Sequence, residues 1–243
     1  MKRPKILGDR LGAKLDALIR GPGEERASDW YDRMFSRAPH YHEPYNSSGY
    51  YFLWAVIADR LRRDCVGRVL DIGCGTGQLA DLLFDQGIEE YIGLDFSPTA
   101  VAHAQQMAPR GRYVIGDARY ADVYANADYD VLICTEVLEH IEEDLLVVSL
   151  FRPTTRCIFS VPNYDSAAHV RFFADSSAVS ERYGPYFTAL DVAAFPTVGS
   201  EKNRVFLAEG VRNDITMERS RPILPSQAVS SASAPAQRCV IRS

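Results

Sequence analysis

The run Val69-Leu70-Asp71-Ile72-Gly73-Cys74-Gly75-Thr76-Gly77-Gln78-Leu79 constrains this chain more than any other stretch. A β-rich opening, an abrupt glycine turn and a helix-forming continuation predict a buried strand, a tight loop and a first helical turn. That geometry brings backbone N–H groups against a nucleotide. The glycine spacing narrows the reading, because a dinucleotide loop requires G-x-G-x-x-G. Here Gly77 comes one residue early and Gln78 stands where that pattern wants glycine or alanine. Asp71, at the end of the strand, adds a carboxylate that would repel a nearby pyrophosphate and suits a cationic ligand.

Around this stretch, short β-rich runs alternate with helical patterns. Arg68 to Ile72, Tyr91 to Leu94, Arg112 to Ile115, Tyr129 to Cys134 and Cys157 to Val161 read as strands. Between them, Gln78 to Gln86, Pro98 to Met107 and Glu142 to Leu150 read as helices, the second capped by Ser97 with proline at its first position. Such alternation calls for parallel pairing through right-handed crossovers and a sheet covered on both faces. Phe187 to Phe195 and Arg204 to Val211 then read as an antiparallel edge hairpin. The expected fold class is α/β: a doubly wound, mostly parallel, seven-stranded sheet with that hairpin at one edge.

Ahead of the sheet, Ile6 to Ile19 carries apolar residues at helical intervals and Gly21-Pro22-Gly23 breaks the pattern. An aromatic-rich segment follows, from Trp30 through Tyr31, Tyr41, Tyr50 and Trp54 into a helix ending near Arg63. Rings with polar tips suit a half-wet pocket wall, so residues 1–65 are expected to form an N-terminal helical and aromatic cap. Residues 66–212 form the ligand-binding domain, and the Pro-Ser-Ala text of 213–243 lacks the apolar content to fold. After Pro162, a polar and aromatic segment with Tyr164, His169, Arg171 and Arg182 leaves the carboxyl end of a strand and should lie over the crevice.

The formal charge of −5 is interspersed along the chain, so no basic face points to nucleic acid and no polybasic run to a membrane. The five cysteines are odd in number and lack metal-site spacing, which fits buried reduced thiols in a cytoplasmic protein. No apolar run reaches the ~20 residues of a membrane-spanning helix, and no signal-peptide core follows the basic N-terminus.

Acids recur at the ends of successive strands: Asp71, then Asp95 in Gly93-Leu94-Asp95-Phe96-Ser97, Asp117 in Gly116-Asp117-Ala118, and Glu136 in Thr135-Glu136-Val137-Leu138-Glu139-His140-Ile141. An acid about twenty residues beyond a glycine loop is placed to hold ribose hydroxyls. Together these motifs resemble the class I S-adenosylmethionine-dependent methyltransferases, from about Trp30 to Val211. The resemblance implies a Rossmann-like fold and S-adenosyl-L-methionine as cofactor, with S-adenosyl-L-homocysteine as product. Carried over by motif, Asp71 and the loop Gly73, Cys74, Gly75 and Gly77 would hold the methionine end. Asp95 would bind ribose and Phe96 flank adenine, Asp117 and Ala118 would read the adenine edge, and Glu136 would sit near the methionine portion.

The implied reaction is an in-line displacement onto an oxygen or nitrogen of a small-molecule acceptor, with no membrane and no nucleic acid as partner. His140, just past the fourth strand, is the candidate general base, and no metal is assigned. Tyr31, Tyr41, His169 and Arg171 are candidates for the substrate side, and Arg171 with Arg182 leaves room for an acidic substrate.

Three alternatives stand beside this reading. Glu136, Glu139, His140 and, loosely, His169 also resemble the metal ligands of the Hen1-type RNA 3′-terminal 2′-O-methyltransferases. The aromatic motif that should surround the last histidine is absent, and the net charge disfavours a polyanion. A binding protein that kept the fold without the chemistry, and an NAD-dependent oxidoreductase, are the others.

Overall fold

The structure, a computed structural model, describes residues 23–214. The helix expected over Ile6 to Ile19 and all but the first two residues of the tail expected to stay unfolded, 213–243, lie outside those residues. Strands β1 (Arg68–Ile72), β2 (Glu90–Asp95), β3 (Arg112–Ile115), β4 (Val131–Thr135), β5 (Arg156–Pro162), β6 (Phe187–Pro196) and β7 (Arg204–Arg212) form one sheet in the order β3-β2-β1-β4-β5-β7-β6. The first five pair in parallel, and β7 pairs antiparallel with both β5 and β6.

Alternation along the central strands sorts the core into two layers. Leu70, Ile72, Leu132, Cys134, Cys157, Phe159 and Val161 face one side. Val69, Val131, Ile133 and Ile158 face the other. On the first face lie a short α5 (Val123–Asn126), α6 (Asp144–Leu150) and α7 (Ser176–Tyr183), through Tyr124, Val147, Phe151, Val179 and Tyr183. On the second lie α2 (Tyr51–Arg63) and α3 (Gln78–Asp85), through Leu53, Ile57, Leu61, Leu79 and Leu83. The helix from the aromatic segment thus contributes to the core of the sheet itself. Helix α1 (Ser28–Arg37) buries Tyr31 and Phe35 beside Ala100 of α4 (Pro98–Met107). Asp32 fastens it there, accepting hydrogen bonds from the Ser97 hydroxyl and the Thr99 N–H.

Several boundaries shift from the expected ones for local reasons. Strand β4 begins at Val131, because Tyr129 is turned inward to donate to the Tyr124 carbonyl and Asp130 pairs with Arg68. Helix α6 begins at Asp144, after a turn in which Arg171 holds the Leu138 and Ile141 carbonyls. Helix α7 is unanticipated; Asp175 caps it by accepting from the Ala178 N–H, and Val179 and Tyr183 then fall on one face.

Glycine is required at Gly77 on two counts. Its φ of +87° is left-handed, and a Cβ there would lie 2.8 Å from the Ala104 Cα, so α3 and α4 cross at that point by backbone contact. Gly87, with φ +94°, has no atom within 4 Å of where its Cβ would lie. Gly77→Ala should therefore cost ~2–5 kcal/mol, backbone strain plus overpacking. Gly87→Ala should cost only the backbone share of ~1–2 kcal/mol. Urea unfolding of the two variants checks this, and equal losses would contradict the close crossing.

Candidate functional site

Strand order reverses between β1 and β4, so the loops leaving their carboxyl ends splay apart and open a crevice. Two adjoining cavities fill it, of about 130 and 510 Å³, sharing Tyr31, Phe35, Gly73, Gly75, Glu136 and His140 in their walls. The smaller lies toward β2 and β3, against Asp95, Phe96, Asp117, Ala118 and Arg119. The larger lies toward α1 and α2, against Asp71, Cys74, Tyr41, Tyr50, Trp54, Tyr164 and His169. Most residues picked out from the sequence meet here. Gly77 and Arg171 line neither cavity.

The glycine loop is pinned from below and from the side. Gly73 and Cys74 donate their N–H groups to the Leu94 carbonyl, and Gly75 N–H donates to Asp95 Oδ2 at 2.9 Å. Asp95 Oδ1 accepts from the Ser97 N–H at 2.9 Å. Each Asp95 oxygen thus keeps a lone pair for a ligand, while burial lifts the group to about 6. Asp71 accepts from the Tyr91 hydroxyl at 2.5 Å through Oδ2, whereas its buried Oδ1 has no hydrogen-bond partner. Burial pushes this carboxyl up to about 7. A buried carboxylate with one oxygen left unpaired asks for a cation.

At the smaller cavity, Asp117, the residue expected to read the adenine edge, is already paired. The Arg119 guanidinium spans both its oxygens, Nε to Oδ1 at 3.0 Å and Nη2 to Oδ2 at 2.6 Å. Burial raises Asp117, yet the Arg119 contacts together outweigh it and hold the carboxyl below its ordinary range. Arg119 also reaches Glu25, which accepts from the Glu142 N–H, and Glu25 and Arg26 line this cavity.

Glu136 follows β4 with φ +56°, a conformation rare outside glycine, and β5 over-determines it. Its N–H donates to Ser160 Oγ at 3.0 Å, and that hydroxyl donates back to Glu136 Oε1 at 2.9 Å. Tyr50 donates to Oε2 at 3.1 Å, with the Tyr164 hydroxyl 3.5 Å from that of Tyr50. Burial raises Glu136, against the hydrogen bonds from Ser160 and Tyr50. Neither tyrosine partner was singled out from the sequence; aromatic residues before β1 and after Pro162 were the only signal.

Beside it, two imidazoles have fixed tautomers. His140 Nδ1 lies 2.9 Å from the Ala168 carbonyl and His169 Nδ1 lies 2.9 Å from the Tyr164 carbonyl. A carbonyl only accepts, so both Nδ1 atoms carry the proton and both Nε2 atoms present lone pairs in the neutral rings. Burial, with His169 adding to it, brings His140 down to about 4, and burial also lowers His169. Glu139 is fully buried, and neither of its carboxylate oxygens has a hydrogen-bond partner. Ligand atoms of Glu139, His140 and His169 lie within 4.8 Å of one another, a donor set that a divalent ion could use.

Arg171 is placed elsewhere. Its guanidinium is spent on the Leu138, Ile141 and Glu142 carbonyls, which the turn after β4 leaves unpaired. Arg182 forms a two-pronged pair with buried Asp144. Both arginines brace the turn and α6, which removes the basis for an acidic-substrate role. Among the described residues, no helix is long and apolar enough to cross a membrane.

Residues 69–155 match the family described as "Methyltransferase domain". The small RNA 2′-O-methyltransferase of Arabidopsis thaliana is 32% identical over 123 residues, covering 43% of this chain and 13% of that protein. A ubiquinone biosynthesis O-methyltransferase of Aliivibrio fischeri is 36% identical over 104 residues, covering 40% of this chain and 44% of that protein. The chain spans less than half the length of these curated relatives. The fold is similar to that of magnesium protoporphyrin IX methyltransferase from Synechocystis PCC 6803 with bound SAH, at TM-score 0.53 and 21% identity over 68% of this chain and 84% of that one.

Asp71 yields a prediction with a definite sign. A carboxyl raised from 3.8 to about 7 binds more protons folded than unfolded between those values, so it destabilises the free protein as pH rises through that window. Asp71→Asn should therefore raise stability at pH 8 by roughly 1–3 kcal/mol while weakening S-adenosylhomocysteine at least tenfold. In the wild type, affinity for that ligand should fall as pH drops below about 7. An Asn variant that binds as tightly as wild type would remove Asp71 from the site.

Proposed function

We propose that this chain, which belongs to the class I S-adenosylmethionine-dependent methyltransferase superfamily, transfers a methyl group to a hydroxyl oxygen of a small molecule. The cleft fits the cofactor on its own features. The orphaned Oδ1 of Asp71 offers a counter-charge to the methionine ammonium, the spare lone pairs of Asp95 suit ribose hydroxyls, and Phe96 and Ala118 supply an apolar slot for adenine. When bound, the cofactor supplies a methyl group already activated by a sulfonium.

The protein's own part is then to orient the acceptor, exclude water and take one proton. The observation that carries the hydroxyl reading is the pair of neutral imidazoles in the wall of the larger cavity, with Nδ1 tied to backbone and Nε2 left to accept. A hydroxyl donates where such an atom accepts. His140 Nε2 is the proton acceptor in this reading, its ring held by the Ala168 carbonyl and packed edge-on against Tyr31. Burial keeps it unprotonated through the neutral range.

Glu139, without a hydrogen bond on either oxygen and with Oε1 3.9 Å from His140 Nε2, favours a second reading, in which Glu139, His140 and His169 hold a divalent ion that polarises the acceptor hydroxyl. His140 would then be a ligand and proton transfer would pass to another group.

Methyl transfer followed as S-adenosylhomocysteine release separates the two. The base reading expects turnover that survives a chelator and falls ~10²-fold or more in His140→Ala with cofactor affinity unchanged. Turnover abolished by the chelator and by Glu139→Gln would select the metal. Unchanged turnover in both variants would exclude both roles.

A further inference from the structure

We infer that the acceptor is an uncharged molecule bearing its hydroxyl on a ring, and that Tyr50 is the residue that selects it. This deepens the methyl-transfer reading and rests on it. The larger cavity is walled by a continuous arc of rings. Tyr31 packs edge-on to His140 at 5.9 Å, His140 to His169 at 4.8 Å, and His169 meets Tyr164 at 5.7 Å. Tyr164 touches Tyr50 through their hydroxyls, and Tyr50 stacks on Trp54 at 6.1 Å. Every member lines the same cavity. Faces of this kind hold another ring, aromatic or sugar, with little loss of conformational freedom.

Charge sets the second half of the inference. The lining of this cavity contains no lysine or arginine, and its ionisable acids are Asp71 and Glu136. An anionic acceptor would meet carboxylates without a counter-charge, in a cleft that already favours a cation. Arg171 and Arg182, the nearest arginines after β5 in the chain, are committed to carbonyls and to Asp144. A cationic acceptor would face the sulfonium, whose positive charge the same acids serve. The uncharged form remains.

Tyr50 is suited to select because its hydroxyl is fixed at both ends, donating to Glu136 and touching Tyr164, and an oxygen so held keeps a lone pair for an incoming hydroxyl. It joins the cofactor side of the crevice, through Glu136, to the ring wall.

The two tryptophans of the chain, Trp30 and Trp54, both line this cavity, so intrinsic fluorescence reports on it directly. The full-length protein is titrated with naphthol and methyl glucoside as uncharged rings, hydroxynaphthoate and glucuronate as their anionic counterparts, and tyramine as a cation, with and without S-adenosylhomocysteine. Saturable binding of an uncharged ring, at least tenfold tighter than any charged probe, is expected, and whichever of the two binds identifies the ring as aromatic or sugar. Tyr50→Phe should weaken the hydroxylated ring about fivefold while leaving naphthalene unchanged. Charged probes binding as tightly, neither uncharged ring binding, or a Tyr50→Phe variant indifferent to the hydroxyl would each overturn the proposal. Absence of S-adenosylhomocysteine binding by calorimetry would instead sink the methyl-transfer reading, and the ranking measured without that ligand would still judge the wall.

Discussion

The structure depends on the parallel pairing of β1 with β4, neighbours from which the chain departs in diverging directions along the sheet. Because the chain leaves β1 toward β2 and leaves β4 toward β5, no crossover fills the space above their carboxyl ends. Much of what is chemically unusual in the described residues gathers there. A buried carboxylate with one unpaired oxygen, a glycine loop with three left-handed residues, a left-handed glutamate and two tautomer-locked histidines are all strained or under-satisfied features. The apolar layers on either face of the sheet hold them in place.

The segment ahead of α2 is tied to the same loop. Thr76 Oγ donates to the Tyr41 carbonyl at 2.7 Å, and Gln78 donates to the carbonyls of His40 and Glu43. Gln78, which departs from the dinucleotide pattern, therefore has a structural use: its amide ties the glycine loop to the aromatic segment. The wall offered to an acceptor and the loop offered to a cofactor are one hydrogen-bonded unit. In the proposed reading, cofactor and acceptor would thereby be held in fixed register, which is what an in-line displacement needs.

The parallel sheet was legible in the sequence because strands buried on both faces read as short apolar runs with turn residues at both ends, as at Val131 to Cys134 and Cys157 to Val161. The strand-end acids were legible because their spacing follows from the fold. Helix α7 was not, since its signal is a single Asp175 cap and two apolar positions in a polar stretch. Side-chain pairings were least visible. Arg171 looked like a substrate group, and only the turn after β4, with three carbonyls to satisfy, explains where its guanidinium goes. The pairing of Asp117 with Arg119, two residues on, forms only because the chain folds back in the turn after β3. Tyr50 and Tyr164 lie 114 residues apart and meet solely because α2 and the segment after β5 flank the same crevice.

The central claim is that this crevice is built for an adenosyl sulfonium and not for a dinucleotide. Calorimetric titration of the wild-type protein with S-adenosylhomocysteine and, separately, with NAD tests it most directly. The account predicts saturable, one-to-one binding of S-adenosylhomocysteine and no heat from NAD. Binding of NAD with S-adenosylhomocysteine silent would contradict it.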